Sequence, residues 1–448
     1  MRASGQAVRL CLSPSAHGGT MRRSIVVSSF LALGCVAGCG AAENPGGSTG
    51  PTYYKDIAPL VNEACTSCHV AGGIAPFSLT DAETAATMAG AMAAATGSRT
   101  MPPMPVNNDG SCHTYKNARW LSDEQIALFQ RWSEAGAPLG DPKDAPPPPT
   151  FDTPKLAGEL ASFDIGLDYT PEPLPGELDE YRCFVVDPGI TEDTFITGYD
   201  IQPGDARVVH HVSLFYLADD QADADAEALD AADPGPGYRC FGAAGVQNSV
   251  LYGVWVPGSG ATILPAGTGI FHGAGRKIAL QVHYNVPLTG GPFSDRSKVT
   301  YQLEKDPSLT RAYLLPVGSF QFSLPPKAAK ANVSVDLPLE QLGWYGGVDA
   351  SGGIRVYGAM PHMHVIGREQ RTSLKRESGE ECLTEVDRWN FHWQDLWWYE
   401  TPIDVAPGNT FGISCDFDTR GRTTPTTWGE GTNDEMCTNI LYATLTGK

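Results

Sequence analysis

The sequence predicts a small all-α module followed by a β-rich remainder built as sandwiches or jelly rolls. Three observations carry this. The chain has 448 residues, room for about two to four domains of ~100–200 residues. Its 50 Gly and 35 Pro favour short strands and turns over long helices. Helical apolar spacing is confined to residues 53–140, whereas beyond about residue 155 short β-branched and aromatic runs alternate with Gly/Pro turns. With 18% charged and 42% hydrophobic residues the chain is globular rather than disordered. A net charge of −20 argues against a nucleic-acid binder, which needs a basic face for phosphates.

The elements follow in order. Residues 1–39 read as a signal peptide, with Met21 the expected start. Arg22-Arg23 and SIVVSSFLALG form a basic and then an apolar region too short to span a bilayer. Val36-Ala37-Gly38-Cys39 resembles a bacterial lipobox, which would make Cys39 the lipidated first residue. Cys35 is the weaker candidate, and an ordinary cleaved signal without lipid is the alternative. Residues 40–52 read as a flexible tether. The expected location is bacterial and exported, in the periplasm or anchored to the outer membrane by the lipid alone, where disulfides persist.

Within 53–140, Cys65-Thr66-Ser67-Cys68-His69 is C-x-x-C-H. Two thiols at this spacing add across haem vinyl groups, and the adjacent imidazole becomes an iron ligand. Tyr53–Ala64 has the apolar spacing of a short helix presenting the motif, and Leu121–Ala137 reads as a second helix capped by Ser122. The stretch resembles class I c-type cytochromes, whose sixth ligand is a Met in a Pro-rich loop. Arg99-Thr100-Met101-Pro102-Pro103-Met104-Pro105 fits that loop, with Met101 the expected ligand and Met104 the alternative. A thioether ligand raises the haem potential, as an electron relay needs. His113, in a loop beside Cys112, reads as an exposed polar residue. Residues 141–155, with four consecutive prolines, read as a stiff linker.

The remaining strands are FITGYDI, RVVHHVSLFYL, KIALQVHYNVP, GIRVYGAMPHMHVI, NTFGISCDFD and NILYATL. The acidic run Asp219–Asp233 reads as a solvated loop with at most a helical turn. Five His sit inside strands. His362 and His364, at i and i+2, share a face and suit one metal. His210 and His211 are adjacent, so they meet one metal only if the strand ends or bulges there; His283 lies further along. Singly, each is as readily a core or surface imidazole.

Four ordered motifs now stand together: Val209–Phe215 (VHHVSLF), Leu280–Tyr284 (LQVHY), Pro361–His364 (PHMH) and Asp434–Cys437 (DEMC). They resemble the copper type II ascorbate-dependent monooxygenases, the family of peptidylglycine α-hydroxylating and dopamine β-monooxygenases. The resemblance spans about 160–448. It implies two all-β jelly-roll domains, here 156–299 and 300–448, facing across a solvent-filled cleft. It implies one copper held by His210, His211 and His283 for electron supply. It implies a second, oxygen-binding copper held by His362, His364 and Met436. Imidazole and thioether accept both copper oxidation states, and a closed zinc site would instead bring Cys or carboxylate. The implied activity is hydroxylation of a substrate C–H bond with O2. Its electrons would come from the chain's own haem and from an external donor, ascorbate or a redox protein. A haem and copper electron-transfer lipoprotein without hydroxylase activity is the alternative.

Departures from the family matter. Val212 stands where the animal enzymes carry Met, and Met360, Thr438 and Ile440 stand where the peptide enzyme binds a substrate carboxylate. A buried carboxylate without donors is costly, so the pattern argues against an anionic peptide and leaves an aromatic or neutral substrate. The resemblance implies bridges Cys183–Cys240 and Cys415–Cys437. Cys112 and Cys382 then remain, either as a bridge between the haem and copper modules or as two free buried thiols. His272 and His392 read as loop hydrogen-bonders, and the cluster Trp389, Trp393, Trp397, Trp398 and Tyr399 as packing for the second sandwich.

Overall fold

The computed structural model describes residues 50–71, 75–148, 154–240, 243–256, 259–286, 291–346, 348–391, 393–429, 431 and 433–447. The signal segment with Met21, Cys35 and Cys39, the tether up to residue 49, part of the Pro-rich linker and His392 lie outside the described residues. Among those described, no helix is long and apolar enough to cross a membrane.

The helical part begins with a π-helical turn, Tyr53–Ile57, that runs into the helix Ala58–Ala64, started by a proline in its first turn. Two further helices, Ala82–Thr87 and Ala89–Gly97, were not foreseen from apolar spacing, because alanine carries most of their surface. Asp81 starts the first by accepting from the Thr84 N–H. Asp123–Glu134 has the full reciprocal cap: Ser122 accepts from the Gln125 N–H, and Gln125 accepts from the Ser122 N–H. Ile57, Val61, Phe129 and Trp132 close their shared core.

Between the third and fourth of these helices the chain leaves that core. Met104, Val106 and Tyr115 are buried instead among the C-terminal strands. Backbone bonds tie Asn107 to Glu385, Lys116 to Trp398 and Glu400 to Thr114. Cys112 and Cys382 form a disulfide with Cα atoms 5.1 Å apart, so the bridge, not a pair of free thiols, is realised. His113 is half-buried rather than exposed and pairs with Glu381 at 2.8 Å. The acidic run is also different from expectation. Asp220–Ala232 is a 13-residue helix, capped by Asp219. Ala222 and Ala226 are small enough to bury against Phe215, Leu217 and Ala279. Arg276 and Lys277 neutralise its acidic face through Asp220, Asp223 and Glu227.

The rest is strands. A five-stranded antiparallel sheet holds, in order, Tyr238–Arg239, Asp179–Val186, Ile278–Asn285, Val209–Leu217 and Ser249–Trp255. A four-stranded sheet holds Ala331–Pro338, Thr410–Phe417, Gly367–Arg376 and Gly379–Val386. A nine-stranded sheet backs both. Its central path runs from Thr194–Gln202 through Thr268–His272, Thr310–Ser319 and Cys437–Leu445 to Ile354–His362. The first core lies between the five- and nine-stranded sheets, around Val212, Leu280 and Tyr301. The second lies against the four-stranded sheet, around Val356, Phe411 and Leu441. This is the sandwich architecture that alternation of buried and exposed positions demands. Bridges Cys183–Cys240 and Cys415–Cys437 are both formed.

Candidate functional site

The first cluster sits on the five-stranded sheet. Strand Val209–Leu217 pairs with Ile278–Asn285, and its register slips between Val209 and His211. That bulge is what lets adjacent imidazoles converge. His210 Nδ1 lies 3.3 Å from His211 Nδ1, and His283 Nδ1 lies 3.4 Å from the same atom. His283 Nε2 donates to the Asp179 carboxylate at 3.0 Å, and Asp179 is itself held by Asn285 at 2.8 Å. The His283 Nδ1 lone pair therefore faces its neighbours. Tyr181 lies flat on the His283 ring with centroids 4.1 Å apart. Burial holds His211 well below the ordinary imidazole range, and the neighbouring His283 and His210 push the same way. Burial also lowers His283, against an upward push from Asp179. Three imidazoles whose potential ligand atoms lie within 4.8 Å of one another suit a cation.

The second cluster sits where strand Ile354–His362 ends. His362 and His364 have ring centroids 5.2 Å apart. His362 Nδ1 meets Gln394 Oε1 at 2.6 Å, and the Gln394 amide donates to the Phe391 carbonyl, which fixes its orientation. His364 Nδ1 donates to the Asp434 carbonyl at 3.1 Å. Both Nε2 atoms thus keep their lone pairs. Burial lowers His362, and it takes His364 down to about 3. Glu435 is buried and accepts from the backbone N–H groups of His364, Ile366 and Met436, at 2.9, 2.8 and 3.2 Å. One carboxylate thereby ties the two ligand-bearing segments together. Burial pushes it up to about 7 against those three donors.

The two clusters share one cavity of about 180 Å³, lined by His211 from the first and by His362, His364 and Met436 from the second. Apolar side chains such as Phe215, Leu251, Val254 and Ile440 also line it. Phe391 stacks on His210, with centroids 4.7 Å apart, while standing 6.0 Å from His364. Met360 and Ile440, at places where the peptide enzyme recognises carboxylate, line the cavity, and its lining carries no Lys, Arg, Asp or Glu among the described residues. Thr438 is buried with its hydroxyl unpartnered. Asp179, Phe391, Gln394 and Glu435 were not singled out from sequence. Their types are commonplace, and apart from Glu435, which adjoins Met436, only the fold brings them to these clusters.

A second, larger cavity of about 370 Å³ is lined by Cys65, Cys68 and His69. His69 Nδ1 donates to the Phe77 carbonyl at 3.0 Å, which leaves the Nε2 lone pair available. Met101 lines this cavity, as do Met88 and Met92, which sequence reasoning overlooked. Met104 does not; it is buried in the C-terminal core. Arg119 lines the cavity with its Nε buried and unpartnered, a seat for an anionic group. The thiol pair and the imidazole fit a covalently held haem. Among the other His, His272 Nε2 accompanies the Arg276 carbonyl at 3.2 Å, and burial lowers it to about 4. It hydrogen-bonds as expected, but from the buried end of the strand Thr268–His272 rather than from a loop.

Three imidazoles that could hold a metal ion, and two further imidazoles with a thioether on the wall of an adjoining cavity, are donors of a kind that would suit a borderline or soft metal. More specifically, residues 347–446 match the copper type II ascorbate-dependent monooxygenase, C-terminal domain. The chain is 26% identical over 297 residues to a tyramine beta-hydroxylase of Caenorhabditis briggsae, covering 61% of this chain and 47% of that one. It is 25% identical over 318 residues to the dopamine beta-hydroxylase of Bos taurus, covering 66% and 48%. A human DBH-like monooxygenase protein 1 is 24% identical over 253 residues, covering 54% and 40%. The chain thus spans about half the length of the curated relatives it matches. These likenesses support the copper monooxygenase family for the β-rich part.

Proposed function

We propose that this chain is an exported copper-dependent monooxygenase that hydroxylates a C–H bond of a small neutral substrate with O2, drawing electrons through its own c-type haem. The observation that carries the reading is the shared cavity, lined by His211 of one cluster and by His362, His364 and Met436 of the other. On this reading His210, His211 and His283 hold the electron-supplying copper. His362, His364 and Met436 hold the oxygen-binding copper. Cys65 and Cys68 hold the haem, with His69 and Met101 its axial ligands. Bound copper supplies oxygen activation and one-electron steps, and bound haem a one-electron store.

The residues do the rest. Asp179, Gln394 and the Asp434 carbonyl fix three imidazole tautomers, so the ligand atoms need no rearrangement on binding metal. Phe215, Leu251, Val254 and Ile440 exclude water and favour an apolar substrate face. Without a cation in that lining, a substrate carboxylate would be buried unpaired. The three disulfides agree with an oxidising compartment, and Cys39 remains the proposed lipid site. Ascorbate or a redox protein is the proposed external donor.

The test is oxygen uptake coupled to hydroxylated product in copper-loaded protein, with a screen of neutral aromatic and aliphatic substrates. Met436→Ala should abolish the coupling. The altered residues Met360, Thr438 and Ile440 favour a second reading, an electron-transfer lipoprotein that keeps copper without hydroxylation. Reversible haem and copper redox cycling with no product from any substrate would select it.

A further inference from the structure

Resting on the proposed haem, we infer that the haem site is completed from outside the helical part: Trp393, carried by the β-rich part, forms one wall of the haem cavity, so that the docking of the two parts sets how far water reaches the haem. Apart from Arg119, the rest of the cavity lining falls between Ala64 and Pro103. Trp393 reaches it from the far end of the sequence. The other aromatic residues of its cluster have different work. Trp389, Trp397 and Tyr399 are buried in the second sandwich core, and Trp398 packs against the first. Trp393 belongs to neither core among the described residues, and it is half-buried at the haem cavity instead. A tryptophan is a large apolar surface, and here that surface is spent on the cavity rather than on its own sandwich.

The segment that carries Trp393 is fixed at both ends. Before it, the Trp389 N–H donates to the Arg368 carbonyl at 2.8 Å, and the Trp389 indole donates to the His364 carbonyl at 2.9 Å. The Trp393 N–H donates to the Asn390 carbonyl at 3.0 Å and closes a turn. After it, the Trp398 carbonyl accepts from the Lys116 N–H at 2.8 Å. The loop that carries Met101 is docked on the same side. Trp120 receives the Arg99 guanidinium of that loop at 4.5 Å from its ring centroid and the Arg388 guanidinium of the β-rich part at 5.9 Å. Water at a haem favours the more highly charged ferric form, and apolar cover favours the ferrous one, so burial raises the potential. Trp393 therefore holds the haem potential up by excluding water, without ligating iron.

The experiment is a redox titration of the full-length, haem-loaded protein, with cyanide binding to the ferric haem as an independent probe of access. Trp393→Ala should move the reduced-to-oxidised ratio at a fixed potential toward the ferric form by about tenfold, or about 59 mV for a one-electron couple. It should also speed cyanide binding several-fold. Trp393→Phe keeps most of the wall and should restore both readings. Paired Cys112→Ser and Cys382→Ser changes leave Trp393 in place but loosen the docking, and should lower the potential in the same direction. An unmoved potential and cyanide rate in Trp393→Ala overturn the wall, as do equal shifts in Trp393→Ala and Trp393→Phe. An unmoved potential in the paired serine variant overturns its dependence on docking. These outcomes leave the monooxygenase reading standing. Failure of the unaltered chain to hold haem overturns the haem part of that reading, and this inference with it.

Discussion

Each proposed metal-binding imidazole is only as good as the atom behind it. Asp179 fixes His283, Gln394 fixes His362 and the Asp434 carbonyl fixes His364. Replacing such a partner costs about 10–100-fold in metal affinity. Asp179→Asn should therefore weaken copper at the first cluster on that scale, read by competition with a Cu(I) chelator, and spare the second. Glu435 is a different kind of support, since it orders backbone rather than a ring. Glu435→Leu strands three buried N–H groups at about 1–3 kcal/mol each. It should lower both the unfolding midpoint and the second-site affinity; loss of neither would remove its assigned role. The pairs His210–His211 and His362–His364 stood out because His-His and His-x-His are short local patterns, whereas His283 and Met436 joined them only through the family resemblance. Gln394 lies 32 residues from His362, and Asp179 lies 104 from His283. Nothing local marks a lone Gln or Asp as the partner of a ring that folding brings to it.

At the scale of elements, the strands were legible from period-two alternation, and so was the need for a bulge at His210–His211, because adjacent side chains otherwise diverge. The helix Asp220–Ala232 was not, because its acidic composition hid a narrow alanine stripe that packs only once the sheet exists. Close approach also escapes the sequence. A Cβ on Gly367 would come within 2.8 Å of the Met363 Cβ and 2.9 Å of Trp389. Gly367→Ala should thus push on the turn that carries His364, and reduce second-site copper affinity more than haem content. The disulfide Cys415–Cys437 anchors the residue next to Met436 and spans a sequence separation of 22. Removing it with paired Cys→Ser changes should cost about 2–4 kcal/mol, read as a lowered urea midpoint. The same double variant should bind copper more weakly at the Met436 site; unaltered affinity would mean that strand pairing alone positions Met436.

Across the whole molecule, the helical and β-rich parts are stitched rather than strung. Met104, Val106 and Tyr115 complete the second sandwich core, and Cys112–Cys382 locks the stitch. The Pro-rich linker suggested a stiff spacer between modules, because prolines are visible locally and a loop buried in a distant core is not. Metal binding should then act on the chain's stability as a whole. A ligand that binds only the native state stabilises it by RT ln(1 + [L]/Kd), about 2.7 kcal/mol at a hundredfold excess over Kd. Copper addition should raise the thermal midpoint of the haem-loaded protein, and a chelator should return it. The rise should be seen by haem absorbance as well as by β-sheet signals, because the stitched parts unfold together. Two separated transitions, with only the later one moved by copper, would mean that the stitch does not couple them. A variant carrying both His211→Ala and His362→Ala should show no copper-dependent rise, which ties the stabilisation to the two clusters rather than to surface carboxylates on this acidic chain.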